Sequence, residues 1–263
     1  MGKLFSVLMV GDVEGSPGRD ILARLLPELR QEFALDFVVV NGENAAGGFG
    51  ITPGIADSFF HLGVDVITTG NHVWKNKEIF RIIETEKRLL RPCNMPAGTP
   101  GHGAGLFMKN GVAVGVVNAI GRVYMDPQDC PFKVARERGM ALQEKGASIL
   151  LLDFHAEATS EKVAMGHHLD GLYSAVAGTH THVQTADARV LPGGTGFITD
   201  LGMTGPHDSV IGVRKEKALR KFVTGMPARF EVAEEGVAFN GAVFRIDPET
   251  GRTDSVVPLF RST

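Results

Sequence analysis

Short apolar runs that each end in a polar cluster, with helical stretches between them, constrain this chain more than any other feature. Leu4–Val10 reads as a strand running into Gly11-Asp12. Phe37–Val40 is a β-branched strand ending in Asn41-Gly42-Glu43-Asn44, and Val64–Thr69 is a third, ending in Gly70-Asn71-His72. Between them, Ile21, Leu22, Leu25, Leu26, Leu29 and Phe33 recur at helical spacing with Pro27 as a kink, and Ile55–Leu62 forms a second helix. A Gly-Ser-Pro-Gly turn is expected at Gly15–Gly18, and a charged amphipathic helix over Lys77–Leu90, ended by Pro92. Alternation of strand and helix implies a parallel sheet covered by helices.

The second half changes character. Asn110-Gly111 between Gly105–Lys109 and Val112–Val117 is a strong hairpin signal. Val134–Lys145 follows as a helix, and Ala147–Leu152 and Tyr173–Ala177 as strands. Val237–Ile246 and Asp254–Leu259 form a closing hairpin around residues 247–251. No repeat, low-complexity tract or linker interrupts the chain. One α/β domain over residues 1–263 is therefore expected, with one sheet that begins parallel and another that closes with hairpins.

Two further strand ends carry metal-type chemistry. Residues 178–182 read Gly-Thr-His-Thr-His, and in an extended backbone His180 and His182 would project to one side. The strand near position 150 ends in Asp153-Phe154-His155. Taken singly, each polar residue has a plain structural reading: Asp12 as a turn or helix cap, Glu43 as a solvated carboxylate, Asn71 as a turn residue, His155 as a hydrogen-bonded histidine. Five strand ends that each deliver a metal-competent side chain are hard to explain by packing. The carboxyl ends of strands are also where open α/β sheets bind ligands. The set is oxygen and imidazole without thiolate, which suits zinc, iron and manganese alike.

Composition narrows the remaining classes. A chain of 263 residues with 43% hydrophobic side chains can bury a core without disulfides. Its two cysteines, Cys93 and Cys130, lack C-x-x-C spacing, which points to a reducing compartment. A net charge of −3 gives no basic footprint for coating nucleic acid, although bound metals can override the sign locally. Leu4–Val10 is too short to span a bilayer and lacks a cleavage site, and no later segment is apolar enough to span one. A cytoplasmic protein with no membrane partner is the expectation.

The order Asp12, Glu43, Gly70-Asn71-His72, His155, Gly178-Thr179-His180-Thr181-His182 resembles the calcineurin-like metallophosphoesterases over most of the chain. That resemblance implies a two-sheet β-sandwich flanked by helices, in four α/β/β/α layers, holding two metal ions. Two departures narrow it. The superfamily's Asp-x-His is Asp12-Val13-Glu14 here, and its Gly-Asp-x-x-Asp is replaced by Asn41-Gly42-Glu43-Asn44. Both changes, and residues 199–207, resemble a small bacterial branch described as 2′,3′-cyclic-nucleotide 2′-phosphodiesterases.

The resemblance implies one metal on Asp12, Asn44 and His182, a second on Asn71, His155 and His180, and Glu43 bridging both. Iron or manganese is implied ahead of zinc. The activity implied is hydrolysis of a small phosphoester, a 2′,3′-cyclic nucleotide, by hydroxide held between the metals. His72 would be the general acid or charge stabiliser, against a plainer role in orienting Asn71. Asp153 or Glu157 would orient His155. His102 and His207 are candidates for substrate contact, His167 and His168 are surface residues, and residues 45–50 form a cleft-lining loop rather than a dinucleotide site. A phosphomonoesterase on nucleotides or phosphoproteins, and a metal-binding regulatory module without turnover, are the alternatives. The hairpins and residues 199–215 are candidate surfaces for a homo-oligomer.

Overall fold

The computed structural model describes residues 3–262, beginning with β1 (Phe5–Val10) and the short β2 (Asp12–Val13). Then come α1 (Gly15–Glu32), β3 (Phe37–Asn41), α2 (Pro53–His61), β4 (Val66–Thr68), a 3₁₀ turn at Lys77–Arg81 and β5 (Leu89–Leu90). The hairpin β6 (Ala104–Lys109) and β7 (Val112–Ile120) leads to α3 (Pro131–Glu144), β8 (Ile149–His155), α4 (Thr159–Leu169) and β9 (Ala175–Thr179). The chain ends with β10 (Arg189–Val190), β11 (Gly196–Ile198), β12 (Met203–Pro206), α5 (Lys215–Thr224), β13 (Val237–Ile246) and β14 (Thr253–Ser262).

Two sheets result. One runs β2-β12-β13-β1-β3-β4-β5 with β14 paired to β13, and the other runs β10-β11-β9-β8-β7-β6. β1, β3, β4 and β5 are parallel, as are β7, β8, β9 and β11. The alternation of side chains along each strand decides the layering. Phe5, Val7 and Met9 of β1 and Phe37 and Val39 of β3 pack against Ile149 and Leu151 of β8 and Ala175 and Ala177 of β9 in the space between the sheets. The opposite faces, with Leu8, Val10, Val38 and Val40 on one sheet and Leu150, Leu152 and Val176 on the other, are covered by helices. Ile21, Leu22, Leu26 and Leu29 of α1 lie on the first outer face, and Ala135, Leu142, Met165 and Leu169 of α3 and α4 on the second. This is the four-layer α/β/β/α sandwich expected from the resemblance.

Several local expectations give way to tertiary context. Gly15–Gly18 is the first turn of α1 rather than a free turn, where Pro17 is tolerated because that amide needs no helical partner. Pro27 sits inside α1 without ending it, on the solvent side where the carbonyl it leaves unpaired can be hydrated. Lys77–Leu90 is not one helix. After the 3₁₀ turn its end becomes β5, and Leu89 and Leu90 are buried by pairing with Ile67 and Thr68. Extending the parallel sheet outweighs the helical spacing of those residues. Residues 199–206, expected as part of an interface, lie buried along β12 and the turn before it.

Candidate metal centre

The parallel strands of both sheets end at the same pole, and the polar clusters meet there. Asp12, Glu43 and His155 are 0%, 1% and 0% exposed, a burial that isolated charges do not tolerate. Glu43 Oε1, Asn71 Oδ1 and His180 Nδ1 lie 3.2, 2.9 and 3.0 Å from His155 Nε2. One N–H cannot serve three acceptors, whereas a cation can be shared by all of them. Ligand atoms of Glu43, His155 and His180 fall within 4.8 Å of one another, a group able to hold a metal ion. Asp12 Oδ2 accepts from the His180 amide at 3.0 Å, while its Oδ1 is buried with no hydrogen-bond partner. An orphaned carboxylate oxygen beside such a group fits a cation ligand.

Asn44, His72 and His182 flank this group. Asn44 Nδ2 lies 3.2 Å from His182 Nε2 and its Oδ1 2.7 Å from His72 Nδ1, so the amide spans the two imidazoles. The His72 amide also donates to Glu43 Oε2 at 3.1 Å. His182 Nδ1 faces the Ile211 carbonyl at 2.9 Å, which places the proton on Nδ1 and leaves the Nε2 lone pair toward the site. The structure therefore gathers Glu43, Asn71, His155 and His180 tightly, with Asp12, Asn44, His72 and His182 around them.

The electrostatics follow from burial and from these neighbours. Burial pushes the Asp12 and Glu14 carboxyls up, Glu14 to about 7. Burial would raise Glu43 too, but His155 and His72 hold it well below the carboxylate range. Burial lowers His155, yet Glu43, Asp12 and Asp153 outweigh that and keep the ring protonated. Burial and the neighbouring His155 push His180 down to about 3, so its ring keeps a free lone pair. His72 is lowered by burial, partly opposed by Glu43, and is neutral near pH 7. Without a cation, Glu43, Asp12 and Asp153 hold the His155 pKa up at about 9.

The supporting residues differ from the sequence expectations. Asp153 does not contact His155 directly. His155 Nδ1 faces Thr179 Oγ1 at 2.9 Å, and Thr179 donates to Asp153 Oδ1 at 2.7 Å, so orientation passes through a threonine. Glu157 faces His180 Nε2 at 3.1 Å rather than His155, fixing the tautomer that presents Nδ1 inward. His180 and His182 are not on extended backbone. β9 ends at Thr179, and the two histidines have φ of 100° and 65°. Each such conformation costs about 1–3 kcal/mol and needs external support.

Asp200 supplies that support, a role the sequence does not signal. It accepts from Thr181 Oγ1 at 2.8 Å, from the Thr181 amide at 3.2 Å and from Lys162, whose ammonium is buried against it. A lone aspartate in a loop looks the same in sequence whether or not it clamps a distant turn. Gly70 and Gly178 are fixed by close approach: a methyl on Gly70 would sit 2.3 Å from Glu43 Oε2 and from His155 Cδ2, and one on Gly178 would sit 1.8 Å from the Thr199 carbonyl. His102 and His207 are elsewhere, bonded to the Glu84 and Met203 carbonyls, and do not line the cleft. His167 and His168 are exposed on α4, as expected.

Above this pole opens a cleft of about 370 Å³. Glu43, Asn44, His72, His180 and His182 line it together with Gly47, Gly48 and Phe49, so residues 45–50 contribute a wall as expected. Phe49 meets the His72 ring at 5.1 Å, nearly edge to face.

The same residue order runs through a known family: the profile of the YmdB-like proteins matches residues 8–259. The chain belongs to this family. Among its relatives, the 2′,3′-cyclic-nucleotide 2′-phosphodiesterase of Bacillus subtilis (strain 168) is 48% identical over 244 residues, 93% of this chain and 92% of that protein. The crystal structure of a phosphatase from Mycoplasma pneumoniae superposes with a TM-score of 0.94 at 34% identity, covering 100% of this chain and 95% of that one. A 5′-nucleotidase precursor from Thermus thermophilus shares the fold, with a TM-score of 0.60 at 13% identity over 99% of this chain and 54% of its own. The two-sheet architecture is that of the metallophosphoesterases. Among the described residues, no helix is long and apolar enough to cross a membrane.

Proposed function

We propose that this protein is a metal-dependent phosphodiesterase that hydrolyses 2′,3′-cyclic nucleotides. The observation that carries the reading is the convergence of Glu43, Asn71, His155 and His180 beside Asp12 Oδ1, which accepts no hydrogen bond, just beneath an open cleft that Glu43 and His180 line. The substrate class is supported by the extent of the likeness to the Bacillus subtilis phosphodiesterase. Asp12, Asn44 and His182 would hold one ion, Asn71, His155 and His180 the other, with Glu43 shared. The oxygen and nitrogen donors suit iron or manganese. When bound, two such ions would acidify a water toward neutral pH and offset charge on the phosphoryl oxygens.

The chain's own residues supply the rest. Asp153, through Thr179, orients the His155 ring, and Glu157 fixes the tautomer of His180. The Asn44 carbonyl oxygen 2.7 Å from His72 Nδ1 favours a proton on that nitrogen, which leaves Nε2 as the atom that can take up and release a proton at the cleft. An arriving phosphodiester anion favours the imidazolium form of His72, which can then give its Nε2 proton to the departing ribose oxygen. Positioned proton transfer of this kind contributes about 10²–10⁴-fold. The cytoplasmic setting and the single domain over residues 1–263 belong to the same proposal; Cys93 and Cys130, both free, are compatible with a reducing compartment.

The test is a substrate panel with manganese- or iron-loaded protein, comparing 2′,3′-cyclic nucleotides, linear phosphodiesters and phosphomonoesters. Cyclic nucleotides should give the highest kcat/KM. A wide preference for monoesters would replace the proposal with the phosphomonoesterase reading, which the Mycoplasma pneumoniae phosphatase structure favours.

A further inference from the structure

The cleft has two chemistries. Its floor is polar, but its outer wall carries Phe49, Ile211, Val213, Phe230 and Val232, drawn from separate segments of the chain. A substrate whose phosphoryl group sits on the floor must lay its remaining atoms along that wall.

Ile211 is the informative residue. Val210 and Val213 exchange both backbone hydrogen bonds, at 2.9 and 3.0 Å, enclosing a two-residue turn of Ile211 and Gly212 with φ of 47° and 99°. Such a turn favours Asn, Asp or Gly at its first position, and a β-branched side chain is disfavoured there. Burial does not compensate, because Ile211 is 55% exposed. The Ile211 carbonyl holds His182 Nδ1, yet any residue would provide that carbonyl. What isoleucine adds is an apolar side chain at the rim of the cleft. Strain retained at a ligand site points to a role for the group it presents.

Two rings share the wall. Phe49 is 46% exposed beside His72, and the half-buried Phe230 has the Lys221 ammonium 4.7 Å from its ring centre. Flat aromatic surfaces above a phosphate site suit a nucleobase, since every base has a stacking face.

We infer that Phe49, Ile211 and Phe230 form a nucleobase subsite that positions the cyclic phosphate over the floor of the cleft. The inference rests on the phosphodiesterase reading and specifies which part of the substrate the wall recognises. Stacking tolerates base identity, so purine and pyrimidine nucleotides should both use the subsite.

The test compares adenosine 2′,3′-cyclic phosphate with ribose 2′,3′-cyclic phosphate, which lacks the base, on metal-loaded protein. Wild type should show a KM for the adenosine compound about tenfold or more below that for the ribose compound, the scale of one stacked base. Ile211→Gly, whose backbone suits the turn, should raise the adenosine KM roughly fivefold while moving the ribose KM less than twofold. Phe49→Ala should show the same split, so the outcome does not depend on one variant. Equal KM values in wild type, or variants that shift both substrates alike, would overturn the subsite and leave the phosphodiesterase reading standing. Failure of wild type to hydrolyse either compound would overturn both.

Discussion

The floor of the cleft and its outer wall are built on opposite principles. The floor is buried, and almost every polar atom is fixed by another: Asp153 through Thr179 on His155, Glu157 on His180, and Asp200 under Thr181. The wall stands on turns and irregular segments, and its rings and Ile211 are half-buried or exposed. A reacting centre needs donors held within a fraction of an ångström, and buried networks on strand ends provide that. A surface that receives a variable substrate can sit on loops, where changes of side chain leave the sheets undisturbed.

The sharpest way to break the floor is to fill the space it depends on. Gly70→Ala places a methyl against Glu43 and His155, so metal binding and turnover should both fall to background while the far ends of the sheets stay folded. Metal content and circular dichroism check this; a variant with normal metal and normal turnover would mean the floor is not the reacting centre. His72→Ala should behave differently, keeping its metals while kcat falls about 10²–10⁴-fold. Loss of metal together with activity would instead assign His72 to the support of Asn71 and Asn44.

The backing of the floor should matter less, and through stability. Asp200→Asn leaves the buried Lys162 ammonium without its carboxylate, a change that typically costs about 3–5 kcal/mol. It should also loosen the Thr181 clamp and weaken metal binding by roughly 10–100-fold. A thermal melt and a metal titration measure the two effects; unchanged metal affinity would remove Asp200 from the account of the site.

The smallest effect is a pH dependence set by Glu14, a buried carboxyl that borders the cleft. Burial raises the Glu14 carboxyl from 4.5 to about 7, so between those values the folded chain holds a proton that the unfolded chain has released. Stability of metal-free protein therefore declines as pH rises through that window, by up to roughly 3 kcal/mol from this group. Glu14→Gln should raise the melting temperature at pH 8 and leave it nearly unchanged at pH 4. An equal gain at both values would show that the carboxyl titrates normally.

The two regions are also unequally legible in the sequence. Asp12, Glu43, Asn71, His155 and His180 stand at or just after the ends of apolar runs, so a short apolar run followed by a polar cluster locates them. Sequence spacing gives the wrong reason for His180 and His182 facing the same centre, because the left-handed turn that aims them depends on Asp200 and Lys162, distant in sequence. Over Lys77–Leu90 the spacing suggests a helix, since it cannot reveal that Leu89 and Leu90 extend a sheet. The wall is nearly silent: Ile211 and Phe230 lie in segments without periodicity, and only folding brings them beside Phe49.

The central claim is that the buried floor works by holding metal ions. The direct measurement is metal content per chain alongside turnover of a 2′,3′-cyclic nucleotide, for wild type, chelator-stripped protein and Glu43→Gln. The account predicts two ions per loaded wild-type chain, loss of turnover on stripping with recovery on adding manganese or iron, and metal and turnover lost together in the variant. Full turnover by metal-free protein would contradict it.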